Sequence, residues 1–141
     1  MGNYGASEGP PEWFDVYVYP DTGGEPSDTA VCSYAQQRFK TTGSFVAPTF
    51  TIKKLKGPAC KVDIRTTYWL EVRAHMAFEH GGQIRWELTS DLTGYPADWR
   101  NPDDGFGTEC TSFSQAGTGK GRDMRDCFGM PGPPDLIFSV S

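Results

Sequence analysis

The sequence predicts an all-β fold: a two-sheet antiparallel β-sandwich, jelly-roll or immunoglobulin-like, braced by disulfides. Three observations carry this reading. Gly and Pro supply 28 of the 141 residues and fall between short apolar runs, as many tight turns require. Those runs alternate apolar and polar residues with the period of two that a half-buried strand demands. Four cysteines, Cys32, Cys60, Cys110 and Cys127, stand without any C-x-x-C pair, which suits two structural disulfides better than zinc.

Length fits one domain, long enough to bury a core without help from a metal. Residues 1–12 are Gly, Ser, Glu and Pro with little to bury and read as a flexible tail or linker, so the sandwich domain spans 13–141. From Trp13 the alternation is strict, with Phe14, Val16 and Val18 on one side and Asp15, Tyr17 and Tyr19 on the other. Pro20 to Gly24 turns the chain. Residues 29–39 read as a short strand, although Ala35 to Phe39 also suit a helical turn. Ser44 to Val46 and Thr49 to Ile52 are β-prone but interrupted by Pro48, which predicts an edge strand or a bulge.

The strongest strand signal runs from Thr66 to Phe78, where Tyr68, Leu70, Val72, Ala74 and Met76 alternate with Trp69, Glu71, Arg73 and His75. This predicts a long central strand. Trp69 and Tyr68 lie in opposite phase, so one of them is expected at the surface or under a loop. His80-Gly81-Gly82 and the alternating Gln83 to Leu88 predict a hairpin, with Ile84, Trp86 and Leu88 inward and Arg73 and Arg85 paired across it with Glu71 and Glu87. Thr89 to Pro134 lacks either period and is too long for an idle loop. Pro134 to Ser141 closes the domain as a strand that offers Leu136, Phe138 and Val140 to the core. Six to nine short strands result. Cys32 with Cys60 and Cys110 with Cys127 are the favoured pairings of the three that four cysteines allow, each closing a nearby Gly-rich excursion.

Composition narrows the function. A net charge of −5, with Lys and Arg distributed along the chain, disfavours nucleic acid as a partner. No apolar run is long enough to span a bilayer, and the first residues lack the basic and apolar regions of a signal peptide. Disulfides place the domain in an oxidising setting, secreted or at a cell surface. Only His75 and His80 are present and neither belongs to a metal-binding spacing or a catalytic triad. Glu71, Glu87, Asp91 and Glu109 could serve as paired carboxylates in a small hydrolase, yet carboxylates on strands are commonly just solvated.

Asp91, Asp98, Asp103 and Asp104 are oxygen ligands of the kind Ca²⁺ prefers, although their spacing is not that of an EF-hand and loop aspartates often cap turns instead. A structural Ca²⁺ is the candidate cofactor. The same stretch carries Tyr95, Trp99 and Phe106. With Arg100 and Trp69 they form the candidate ligand site, because a flat amphipathic ring stacks on sugars or anchors a protein partner. Trp99 could equally fold back as a lid over one end of the core.

Phe14 to Tyr19 with Gly23, Gly24 and Pro26, then Thr67 to Val72, Gly82 to Trp86, and Trp99-Arg100-Asn101-Pro102 through Gly107 together resemble a β-sandwich module that recurs in large secreted and cell-surface proteins of environmental bacteria. The resemblance covers roughly Trp13 to Val140. It implies fold and compartment, and no catalytic or binding residue can be carried over from it. Two functions follow as expectations: a non-catalytic binding or adhesion module for a glycan or an extracellular protein, or a building block of a surface layer or filament that contacts neighbouring modules or copies of itself.

Overall fold

The computed structural model describes residues 2–4, 11–44, 47–76, 83–85, 88–89, 91–92, 94–104, 107–113, 124–129 and 135–136. They form nine strands and one short helix: β1 (Gly2–Tyr4), β2 (Trp13–Pro20), β3 (Cys32–Gln37), β4 (Lys40–Ser44), β5 (Ala47–Thr51), β6 (Tyr68–His75), β7 (Gln83–Arg85), β8 (Leu88–Thr89), α1 (Met124–Phe128) and β9 (Asp135–Leu136). Every ladder is antiparallel, and both disulfides join the pairs expected, Cys32 to Cys60 and Cys110 to Cys127.

The centre is a three-stranded sheet in the order β3-β2-β6, flanked by the pairs β1-β7, β4-β5 and β8-β9. Among the described residues β2, not β6, is therefore the central strand. The expected hairpin between β6 and β7 is also replaced: β6 pairs along its whole length with β2, and β7 pairs with β1. Periodicity says which face a residue takes but not which strand lies beside it, so the alternation of β6 and β7 left their partners open. The stretch expected as a tail contributes β1, because a ladder needs only backbone groups, and Glu12 N–H donates to the His75 carbonyl at 2.8 Å.

Register assigns two faces to this sheet. Directly opposed residues share a face, so Phe14, Val16 and Val18 lie with Ala74, Val72 and Leu70 and with Gln37, Tyr34 and Cys32. This is the apolar face. Phe14 and Val16 are buried, and Phe14, Phe39 and Phe50 meet as a triangle of rings 5.0 to 5.4 Å apart, bringing the β4-β5 hairpin onto the core. Pro48 sits inside β5 opposite Gly43, acceptable because that ladder has only two strands. Leu70, expected inward, remains 41% exposed at the sheet edge.

The apolar face is covered in part by residues 56–60. Gln37, only 2% exposed, receives the Lys56 N–H on Oε1 at 2.7 Å and donates from Nε2 to the Lys56 carbonyl at 3.2 Å. Tyr34 donates its hydroxyl to the Pro58 carbonyl at 2.8 Å, and its ring lies against Gly57. Cys32 holds Cys60. Three consecutive same-face positions of β3 thus pin one loop.

The opposite face carries Trp13, Asp15, Tyr17 and Tyr19 of β2 against His75, Arg73, Glu71 and Trp69 of β6. Between Phe14 and Val16 the β2-β3 register slips, a bulge in which Gln36 takes φ 52° and gives its N–H to Asp15 Oδ1 at 2.7 Å. Asp15 Oδ2 meets His75 Nε2 at 2.7 Å, and Trp13 stacks on that imidazole at 5.1 Å. The buried Asp15 thus has a partner for each oxygen, as burial of a carboxylate demands.

Candidate functional site

The site is built on the polar face, where the end of β2 meets the start of β6. Asp21, just past β2, accepts the Trp69 indole N–H on Oδ1 at 2.8 Å and the Gly24 N–H on Oδ2 at 3.1 Å. One carboxylate so fixes both the indole and the turn expected after Pro20. Tyr95 then stacks on Trp69, rings 5.7 Å apart and 13° from parallel, while its other neighbour is Gly24. A Cβ at Gly24 would lie 3.3 Å from the Tyr95 ring, and its φ of 91° favours glycine, so the turn's glycine leaves room for the phenol. Tyr95 keeps half its surface in solvent, at 50%.

Below this pair a cleft of about 240 Å³ is lined by Tyr19, Glu71, Ala97, Asp98, Phe113 and Asp135 among others. Its floor is a network around Glu71. Oε1 accepts from Arg100 Nε at 3.1 Å and Arg73 Nη2 at 3.0 Å; Oε2 accepts from Arg100 Nη2 and the Tyr19 hydroxyl, both at 2.8 Å. The Arg100 guanidinium also lies 4.4 Å from the centre of the Phe113 ring.

Burial pushes the Glu71 carboxyl up, but the hydrogen bonds from Arg100 and Tyr19 and the charges of Arg100 and Arg73 outweigh it and hold it below the usual carboxylate range. Burial first, then the bond to Glu71, raises the Tyr19 phenol to about 12. A carboxylate engaged by four donors and kept ionised is a positioning group, with no acceptor site left for a substrate proton.

Of the expected ligand residues, Trp69 and Tyr95 are brought together. Arg100 lies beneath them in the Glu71 network rather than in the cleft lining. Trp99 points elsewhere, packing edge-on to Phe128 of α1 with rings 4.6 Å apart, closer to the lid expected as its alternative role. Phe106 lies outside the described residues, as do Glu87 and His80. The expected cation site is not assembled: among the described residues no three His, Cys, Asp or Glu side chains gather as metal ligands would. Asp104 caps its own turn, accepting the Thr108 and Glu109 N–H groups at 2.9 and 3.0 Å, and Asp91 and Asp103 are exposed. Glu71 pairs with Arg73 and Arg100, while Glu87 and the Arg85 side chain, expected in charge pairs across a β6-β7 hairpin, lie outside the described residues.

No family model, curated protein or solved structure matches this chain. Its chemistry therefore rests on its own residues. Asp21 and Tyr19 escape a reading by motif. Asp21 could have been found as an Asx residue in a Pro-Asp-Thr-Gly-Gly turn, but its hold on an indole 48 positions away has no local signal.

Proposed function

We propose that the chain is a secreted or cell-surface β-sandwich module, jelly-roll or immunoglobulin-like, that binds a glycan in the Trp69–Tyr95 cleft without turning it over. The observation that carries this is the exposed Tyr95 ring stacked on an indole at the mouth of a cleft that has Asp98 and Asp135 in its walls besides the fully engaged Glu71. Aromatic faces suit the apolar faces of sugars, and carboxylates suit their hydroxyls. At about 240 Å³ the cleft is smaller than the roughly 300 to 1,000 Å³ of pockets that enclose drug-sized ligands, so a single sugar unit at a chain end is the fitting ligand.

The two disulfides favour an oxidising compartment, and among the described residues no helix is long and apolar enough to cross a membrane. Against a paired-carboxylate hydrolase stands Glu71, whose oxygens are fully engaged.

A glycan array probed with the oxidised protein, with and without Ca²⁺, tests it. Saturable binding is expected for the wild type and for Trp99→Ala, indifferent to chelation, and lost in Tyr95→Ala with the fold intact. A folded wild type that binds no glycan, or a Tyr95→Ala variant that binds as well as wild type, removes the cleft from consideration.

A further inference from the structure

Residues 53–65 contain Lys53, Lys54, Lys56, Lys61 and Arg65 against the single acid Asp63, a net +4 on a chain whose total is −5. Basic residues are thus concentrated here, which their spread along the chain conceals. All but Cys60 of these thirteen residues are exposed, and among the described residues none of the five cations forms an ion pair. Leu55, Val62 and Ile64 are exposed beside them, Ile64 at 96%. Three exposed aliphatic side chains grouped on one well-held loop are what a docking surface offers a partner.

The loop is held. Gln37, Tyr34 and Cys32 anchor residues 56–60, and past them Tyr68 accepts the Asp63 N–H at 3.1 Å while Asp63 Oδ1 accepts the Arg65 N–H at 2.9 Å. A surface pinned at both ends loses little freedom when it docks.

Its counterpart lies on the same molecule. Residues 91–109 contain Asp91, Asp98, Asp103, Asp104 and Glu109 against Arg100 alone, a net −4, with Leu92 exposed at 42%. The anchored parts of the two segments lie on opposite faces of the β3-β2-β6 sheet. Residues 56–60 are tied to the face of Gln37, Tyr34 and Cys32, whereas Tyr95, Arg100 and Phe113 pack on Trp69, Glu71 and Tyr19 of the other.

We propose that the chain associates front to back with copies of itself, the 53–65 loop of one molecule seated on the 91–109 side of the next. Among the described residues no ion pair joins the two segments within the molecule, which leaves both for a neighbour. A contact between them is heterologous, so it runs head to tail, and where the rotation between copies does not close a ring it propagates as an open stack. A second copy is the fitting occupant, because it offers a local net −4 at residues 91–109 together with an exposed aliphatic side chain, which a uniformly anionic surface lacks. The copy also offers Leu92 to the aliphatic tip. The inference does not depend on glycan binding: Ile64→Asp is expected to abolish stacking and leave the Tyr95 cleft untouched.

Sedimentation velocity of the full oxidised chain, over a wide concentration range in low and high salt, tests it. The mean mass is expected to rise with concentration in low salt and to fall as salt is added. Ile64→Asp, and separately Lys54→Glu with Lys61→Glu, should weaken association about tenfold or more while keeping the wild-type melting midpoint. The Lys54→Glu, Lys61→Glu protein mixed with an Asp91→Asn, Asp103→Asn protein should form pairs and nothing larger, since each then retains one working side and the two altered sides do not attract each other. A wild type that stays monomeric throughout overturns the proposal, as does association indifferent to Ile64→Asp. Monomers that float with phosphatidylserine vesicles through the same loop, without stacking, overturn it in favour of a bilayer.

Discussion

Glu71 is the residue on which the polar face turns. Its neighbours come from three places in the chain: Tyr19 on β2, Arg73 two residues along β6, and Arg100 on the far loop. Replacing it by Gln keeps the shape but removes the charge that compensates a largely buried guanidinium. We expect a loss of about 2 kcal/mol, read by chemical denaturation. Because the folded carboxyl titrates below its unfolded value of about 4.3, its contribution is present above that pH and vanishes as pH falls through the folded value. Glu71→Gln should therefore narrow the stability gap to wild type as the solution is acidified below about pH 4. An unchanged gap at low pH would mean that the charge is not what Arg100 requires. The sequence placed Glu71 and Arg73 on one polar face, but assigned their partners to the neighbouring hairpin. Arg100 was read as a ligand-site residue of the loop and not as the partner of Glu71, since a contact across 29 positions leaves no local trace.

Among the elements, β2 and β6 were readable because both faces of each obey the period of two, and the two faces separate apolar from polar-aromatic side chains as that period requires. Their pairing was not readable, nor was the bulge at Asp15, where one register step is given up so that a buried carboxylate can receive a backbone N–H. The loop after β5 was likewise opaque, because its anchors are Cys32, Tyr34 and, across the bulge, Gln37 of β3, a strand whose signal was mixed. Gly57 shows how tight that anchoring is. A Cβ there would lie 2.6 Å from Tyr34 Cδ1, at a φ of 154°, so Gly57→Ala must push the loop off the ring. A destabilisation of about 2 kcal/mol is expected from displaced packing and the strained bond to Pro58, measurable by thermal unfolding. If Gly57→Ala melts like wild type, the loop slides freely over Tyr34 and is not a pinned surface.

For the whole molecule, an all-β, antiparallel, twice-bridged architecture was legible from turn chemistry and cysteine count alone. The arrangement of ladders was not, since β1-β7 and β8-β9 join segments distant in sequence and of only two or three residues each. The bridges close segments separated by 28 and 17 positions, each worth roughly 3 to 4 kcal/mol in the chain-entropy picture. Together that rivals the whole stability of an ordinary domain. Reduction should therefore shift the denaturation midpoint sharply, and a Cys32→Ala, Cys60→Ala protein should lose more than a Cys110→Ala, Cys127→Ala one. The reverse order would point to strain or residual structure outweighing loop length.

The pinned loop also determines what becomes of the chain once it has been cut. Lys53, Lys54 and Lys56 offer a trypsin-like protease its preferred residues on an exposed stretch, while Cys32 and Cys60 lie on either side of them. Scission there leaves two polypeptides still covalently joined, with the ladder of β2 against β6 spanning both halves. In an environment rich in proteases such a molecule outlives its own cleavage as a two-chain protein, and the new ends arise at the surface where copies are proposed to meet.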